Sequence, residues 1–377
     1  PVLESFVRFN GVSDTLETIA RLNQAGIYAQ PNHVLFAHSS PGDFQANPFY
    51  ANPFYANPFY ANPFYANPFY ANPNPAADPS IRETGRRPSS ARPAEQREFK
   101  TAVAPGKPVI AILDTGYAQI AKAGVAEDNK ICEALAPKNL VFDESTIEIP
   151  DADHAGYLDP VAGHGTFIAG IIEQLTPGCK IEVHKILESY GDGDEVEVGK
   201  KLLELASRGA ENEHLIVNLS FGGYSSTGMG ALAETIAELH HTGATIVASA
   251  GNDGTSIPMY PAAIPNVVAV GALDHEGAPA PFSNYGPWVR ACTLGVEIVS
   301  TFFTFNGKHP VQGEVRVDEF EGWAVWSGTS FAAPRVVAKL AGMIQAKPDL
   351  SGHDAVKELL ESSGKDRKAL LGTVVNI

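Results

Sequence analysis

Cysteine, methionine and tryptophan are scarce in this chain, with 3 of each among 377 residues. Cys132, Cys179 and Cys292 are odd in number and form no CxxC pair. That argues against a disulfide framework or a zinc site. It leaves buried free thiols, or one disulfide and a leftover thiol. Positive charge is also sparse: 27 Lys and Arg stand against 43 Asp and Glu, for a net charge of −16. Binding a phosphate backbone needs an excess of cations, so nucleic acid is excluded as a partner. Such a surface suits a soluble, monomer-prone protein or one that prefers cationic partners. No apolar run reaches the roughly 18 residues of a membrane span. The start, PVLESFVRFN, shows neither the basic nor the apolar region of a leader. With no initiator Met, that absence is uninformative.

What is present falls into three zones. Residues 1–40 read as a small β-α-β piece. Ser13 or Asp14 caps a helix whose face carries Leu16, Ile19, Ala20 and Leu22 or Ala25, Gly26 ends it, and IYAQPNHVLFA follows as a strand. Such a piece is too short to be stable alone. Residues 41–100 hold ANPFY five times in tandem from Ala46 to Tyr70, then a Pro-rich and Arg-containing stretch. A five-residue period fits no solenoid, and Pro in every repeat removes backbone donors. This zone reads as a semi-extended linker, with docking through its Phe-Tyr pairs as the sharper alternative.

Residues 101–377 read as one α/β domain. Near-continuous apolar strands at 109–113, 181–187, 215–221, 245–250 and 267–273 are the mark of strands covered on both faces. Helical patterns at 197–209 and 229–243 lie between them. The alternation predicts a mostly parallel central sheet in a three-layer fold with helices on both faces, and sites beyond the carboxyl ends of the strands.

Four segments there carry chemistry. Asp114 ends a buried strand in AILDTG, and alone would pass for a turn aspartate. His164 stands between Gly163 and Gly165 before an apolar helix, and alone would pass for a structural histidine. Ser330 in SGTSFAAP opens a helix, with Pro334 read as lying in its first turn, where a missing N–H costs little. Asn252 follows a strand in SAGND, where its amide can donate. A capping serine and a loop asparagine are the plain readings of the last two. Together the four supply an orienting carboxylate, a general base, a nucleophile and an oxyanion donor.

AILDTG, GHGTFIAGII, VNLSFGG, SAGND and SGTSFAAP, in that order, resemble the subtilase family of subtilisin-like serine proteases. The resemblance implies that Asp114 orients His164, His164 acts as base and then acid, Ser330 attacks, and Asn252 stabilises the oxyanion. It also implies that Ser220, Phe221 and Gly222 pair with extended protein or peptide substrate, facing Gly191, Asp192 and Gly193 across a cleft. Ala250, Gly251 and Met259 would wall the primary specificity pocket, Met259 shortening it. Residues 1–40 resemble the second half of a subtilase propeptide, an intramolecular inhibitor, and secretion or a cell-envelope location is implied.

There are departures too. The helix after His164 lacks the insertion that holds a structural calcium in many relatives, so no cofactor is expected. Asp143, Glu144, Glu148, Asp151, Asp153 and Asp159 make an acidic stretch, read as a solvated loop with cation or basic-substrate binding as the alternative. The segment 305–326 is expected to form a hairpin beside the cleft. Rival readings of the whole are a processing protease for one precursor and a catalytically idle binding module.

Overall fold

The computed structural model describes residues 15–27, 29, 32, 34–37, 89–90, 106–117, 140–141, 147–151, 158–226, 228–311, 314–362 and 366–377. The ANPFY repeats, Cys132, Asp143, Glu144 and Asp153 lie outside these residues.

The frame is a nine-stranded sheet in the order β14-β15-β11-β10-β9-β7-β3-β5-β4. Its strands are β3 (Gly106–Asp114), β4 (Leu140–Val141), β5 (Cys179–Lys185), β7 (Leu215–Leu219), β9 (Thr245–Ser249), β10 (Val267–Leu273), β11 (Ala291–Leu294), β14 (Arg367–Lys368) and β15 (Gly372–Val374). Every pairing is parallel except the one between β14 and β15. Side chains alternate across the sheet, and both faces are apolar. On β3, Ile110 and Ile112 join one buried cluster, while Ala111 and Leu113 join another on the opposite face.

Helices cover each face, giving the three-layer α/β arrangement expected. On one side lie α2 (His164–Leu175), α5 (Thr329–Ala346) and α6 (Gly352–Ser362); on the other lie α3 (Glu195–Ala206) and α4 (Gly230–His241). The start of α3 is explained locally: Asp194 accepts the Glu197 N–H at 2.9 Å, and Glu195 and Glu197 sit in the first turn, where the helix dipole favours anions. Val198, Leu202 and Leu205 then form its buried stripe. The α2 helix is apolar on nearly all sides because a long hairpin covers what the sheet does not. That hairpin, β12 (Ile298–Val311) and β13 (Glu314–Trp326), begins earlier than the segment expected from the sequence. Ser300 and Thr301 donate to the Phe167 and Thr166 carbonyls at 2.7 and 3.0 Å, tying the hairpin to α2. In the stretch read from the sequence as a linker, β2 (Ser89–Ser90) pairs antiparallel with β13.

The N-terminal piece contributes α1 (Thr15–Gln24), closed by Gly26 at φ 80, and β1 (Val34–Ala37). β1 does not join the main sheet. It lies between β6 (Asp192–Asp194) and β8 (Phe221–Gly222) in a separate three-stranded sheet.

Cys179 and Cys292 are buried free thiols, and burial pushes both up to about 12. The thiolate is the reactive form, so both should resist modification while the protein is folded. A colorimetric thiol titration of the native protein should therefore count at most one fast-reacting cysteine, with the remainder appearing only in denaturant.

Candidate active site

The sheet changes winding direction beside β3: β4 and β5 lie to one side of it, and β7, β9, β10 and β11 to the other. A crevice forms beyond the carboxyl ends of the strands at such a point. Asp114 ends β3, Ser220 follows β7, and Asn252 comes shortly after β9, so all three gather there. The Asp114 carbonyl accepts the N–H groups of Ile186 and Leu187 at 2.9 and 3.1 Å, which fixes the strand end. β5 ends at Lys185, two residues before the expected limit of the strand.

His164 opens α2, and its Nδ1 lies 2.7 Å from Asp114 Oδ1. Oδ1 also accepts the Thr115 N–H at 2.8 Å. A carboxylate only accepts, so this contact places a ring proton on Nδ1, and in the neutral imidazole Nε2 is then the acceptor. Nε2 is buried and makes no hydrogen bond among the described residues. The Trp326 ring, T-shaped to the imidazole with centroids 5.5 Å apart, and the Phe331 ring, at 5.3 Å, pack against it and hold it in place.

Ser330 is the second residue of α5, so its N–H has no acceptor within the helix. Its Oγ donates to the Ser220 carbonyl at 3.2 Å rather than to His164. Pro334 is not in the first turn, as the sequence suggested, but one turn further in, where its N–H would have bonded the Ser330 carbonyl. Without that donor, the carbonyl accepts the Ser220 hydroxyl at 3.0 Å. Ser220 Oγ in turn accepts an Asn218 amide proton at 2.9 Å. The helix defect is thus converted into a two-way clasp between Ser220 and Ser330.

Asn252 is fixed through its oxygen. The Thr329 N–H and hydroxyl both donate to Oδ1, at 2.9 and 2.8 Å. Since a backbone N–H cannot accept, the carboxamide orientation is settled and Nδ2 remains the donor. Thr329 Oγ1 also accepts the Gly251 N–H at 3.0 Å. The Ala250 carbonyl accepts the Asn284 amide at 2.9 Å. Met259 is fully buried; a Cβ placed on Gly222 or Gly251 would meet its Cε or Sδ at 2.6 Å. The residues foreseen as one edge of the cleft and those foreseen as pocket wall are therefore neighbours.

The two foreseen edges are bridged by β1. Phe36 and Ala37 pair antiparallel with Gly222 and Phe221, while Val34, Leu35 and Phe36 pair with Asp194, Gly193 and Asp192. The Gly191 carbonyl accepts the Ala37 N–H at 2.7 Å. Leu35 is fully buried in the same apolar cluster as Leu187, Val198 and Phe221.

Two carboxylates of the acidic stretch are not solvated, while Asp151 is half-buried. Glu148 and Asp159 are buried, Asp159 accepting the Ser189 hydroxyl at 2.5 Å. No group of three or more His, Cys, Asp or Glu is arranged for a metal among the described residues. Thr115, Thr329 and Trp326 were missed as contributors to the site. Two of them lie within the quoted motifs, but their hydrogen bonds reach residues far away in sequence.

The subtilase family model matches residues 106–374, and the chain belongs to that family. It is 34 % identical over 194 residues to the thermophilic serine proteinase of Bacillus sp. (strain AK1), covering 49 % of this chain and 43 % of that protein. Thermitase of Thermoactinomyces vulgaris is 30 % identical over 195 residues, 49 % of this chain and 62 % of its own length. The minor extracellular protease Epr of Bacillus subtilis (strain 168) is 29 % identical over 228 residues, 56 % of this chain and 32 % of its length. The chain thus spans less than two thirds of each of these relatives. Among solved structures, a cold adapted subtilisin-like serine proteinase shares the fold with TM-score 0.52 at 24 % identity, over 72 % of this chain and 89 % of that one. The prenylagaramide maturation protease PagA matches with TM-score 0.52 at 23 % identity, over 71 % and 90 %.

Thr329→Val removes the hydroxyl shared by Asn252 and Gly251 and leaves a buried N–H without an acceptor. The expected cost is about 1–3 kcal/mol. It should appear in denaturant melts as a lower midpoint at unchanged slope.

Proposed function

We propose that this chain is a serine endopeptidase, in which Ser330 attacks the scissile carbonyl of a protein or peptide. His164 Nε2 takes the hydroxyl proton and later returns it to the leaving amine. Asp114 holds the imidazole in the required tautomer and stabilises its protonated form. The tetrahedral oxyanion is met by Asn252 Nδ2 and the Ser330 N–H, both preorganised donors. Loss of the amine leaves an acyl-enzyme on Ser330 Oγ, which water then hydrolyses.

The observation that carries this reading is the placement of β1. A protein strand held through its main chain between Gly191–Asp194 and Phe221–Gly222, beside a serine and a base, is how an extended substrate would lie. We read residues 34–37 as an occupant of the substrate cleft, and the N-terminal piece as an intramolecular inhibitor. With the cleft filled, the Ser330 hydroxyl rests on the Ser220 carbonyl; when substrate displaces β1 it turns to His164. Active-site hydrogen bonds are often loose until substrate is bound. Family membership and the extracellular relative support action outside the cytoplasm. Among the described residues, no helix is long and apolar enough to cross a membrane.

Mass spectrometry of the purified protein over time, beside Ser330→Ala, tests the proposal. Wild type should shorten from its N-terminal side, react with a fluorophosphonate at Ser330, and then cleave an unfolded protein, while Ser330→Ala stays whole and unlabelled. Leu35→Asp puts a charge into an apolar slot, which should loosen β1 and speed labelling. Failure of this variant to label would leave an idle binding module as the better reading. Cleavage confined to one precursor would favour the dedicated processing protease.

α2 runs unbroken from His164 to Leu175, which supports folding without a calcium loop at that place. Stability gained from a bound ion disappears when the ion is removed. Thermal melts with and without a chelator should therefore coincide, and a large drop would reveal a structural cation.

A further inference from the structure

Glu148 comes from the acidic stretch, yet its surroundings are those of the catalytic loops. Its backbone is fixed first: Tyr117 and Ile147 form a parallel bridge, and the Glu148 N–H donates to the Tyr117 carbonyl at 3.0 Å. The side chain then turns inward and is only 1 % exposed. Its Oε1 accepts the Gly163 N–H at 2.8 Å.

Gly163 is the N-cap of α2, at φ 82, and has no side chain with which to cap the helix. A capping-box glutamate bonds the N-cap N–H from three residues downstream. Here Glu148 makes the equivalent bond from 15 residues upstream. On the other side of His164, the Gly165 N–H donates to Thr115 Oγ1 at 3.1 Å. The Thr115 hydroxyl also faces the Glu148 carboxyl. The amides before and after His164 are therefore both held by groups of the Asp114 neighbourhood.

We propose that Glu148 is a positioning residue for His164: it ties the loop beyond β3 to the N-cap of α2 and so sets the bearing of the imidazole on Asp114. The idea rests on the endopeptidase reading above and deepens it.

The charge state fits this task. Burial pushes the Glu148 carboxyl well above its ordinary range; the Gly163 amide and the Thr115 hydroxyl oppose the shift, nearby Asp114 adds to it, and Lys185 opposes it. A neutral carboxyl can hold the loop without placing a second negative charge beside Asp114. The folded protein raises this pKa, so the contribution of the neutral form is complete at low pH. It is lost as pH rises through the raised value. Asp114 and Lys185 are the charged groups that face Glu148, with His164 next to its Gly163 partner.

The test compares Glu148→Gln and Glu148→Ala with wild type in kcat and KM across pH. Misplacing a base by about 1 Å can cost on the order of a hundredfold. Glu148→Ala should lower kcat about ten- to hundredfold with KM nearly unchanged, the sign of a loss specific to the transition state. Glu148→Gln, neutral at every pH and similar in shape, should restore most of kcat and lack the alkaline decline that ionisation of Glu148 gives wild type. A readout that needs no turnover is the His164 Nδ1–H resonance in a Ser330→Ala background: it should shift in Glu148→Ala and stay in Glu148→Gln. Wild-type kcat and an unmoved resonance in Glu148→Ala overturn the proposal, as does a Gln variant with the wild-type alkaline limb. A resonance that responds in a protein without any turnover upholds the positioning role and sinks the endopeptidase reading instead.

Discussion

The contact between Asp114 and His164 joins a strand end to a helix start 50 residues later, with both side chains fully out of water. Burying a carboxylate and an imidazole away from water is costly unless both are well hydrogen-bonded, and one close contact does not reliably offset that cost. The pair is therefore not there as a stabilising feature, and the surrounding structure has to hold it. β3 brings Asp114 to the crevice and the Ile186 and Leu187 amides lock its carbonyl. The hairpin pressed on α2 and the Trp326 and Phe331 rings keep the imidazole from turning away. Most of what is distinctive around these two residues can be read as support for one hydrogen bond.

The same economy governs the serine. Pro334 would be a fault in an ordinary helix, since it leaves a carbonyl without a donor. Here the orphaned carbonyl belongs to Ser330 and is claimed by Ser220, which in turn receives the Ser330 hydroxyl. Ser220 leads directly into β8, which pairs with β1. β1, the residue leading into β8 and the serine are thus coupled through a few main-chain and hydroxyl bonds. The pairing of β1 with β8 and the orientation of the Ser330 hydroxyl can then respond to one another.

Much of this was legible in advance, for a definite reason. Strands buried on both faces read as unbroken apolar runs, and β3, β7, β9 and β10 announced themselves in that way. Asp114, His164, Asn252 and Ser330 were legible because each sits at a strand end or helix start flanked by glycine or small residues. Glu148 was not legible: pooled with Asp143, Glu144 and the others, it looked like one more carboxylate of a solvated loop. Its burial depends on a backbone bridge to Tyr117 that no local pattern encodes. Pro334 was placed one turn too early because the start of α5 is set by the Gly328 cap and by the Thr329 anchor on Asn252, both tertiary in origin.

By itself, then, the sequence determined the alternation of strand and helix, the chemical identity of the four site residues and the family to which they belong. These follow from local periodicity and from short motifs, in which the information is contiguous. Only the tertiary structure decided that β1 leaves the main sheet to lie between β6 and β8, that the hydroxyl of Ser330 faces Ser220, and that Glu148 reaches the residue before His164. Each of those choices is a competition among hydrogen-bond partners distant along the chain, and the outcome depends on which of them folding brings within 3 Å or so of one another.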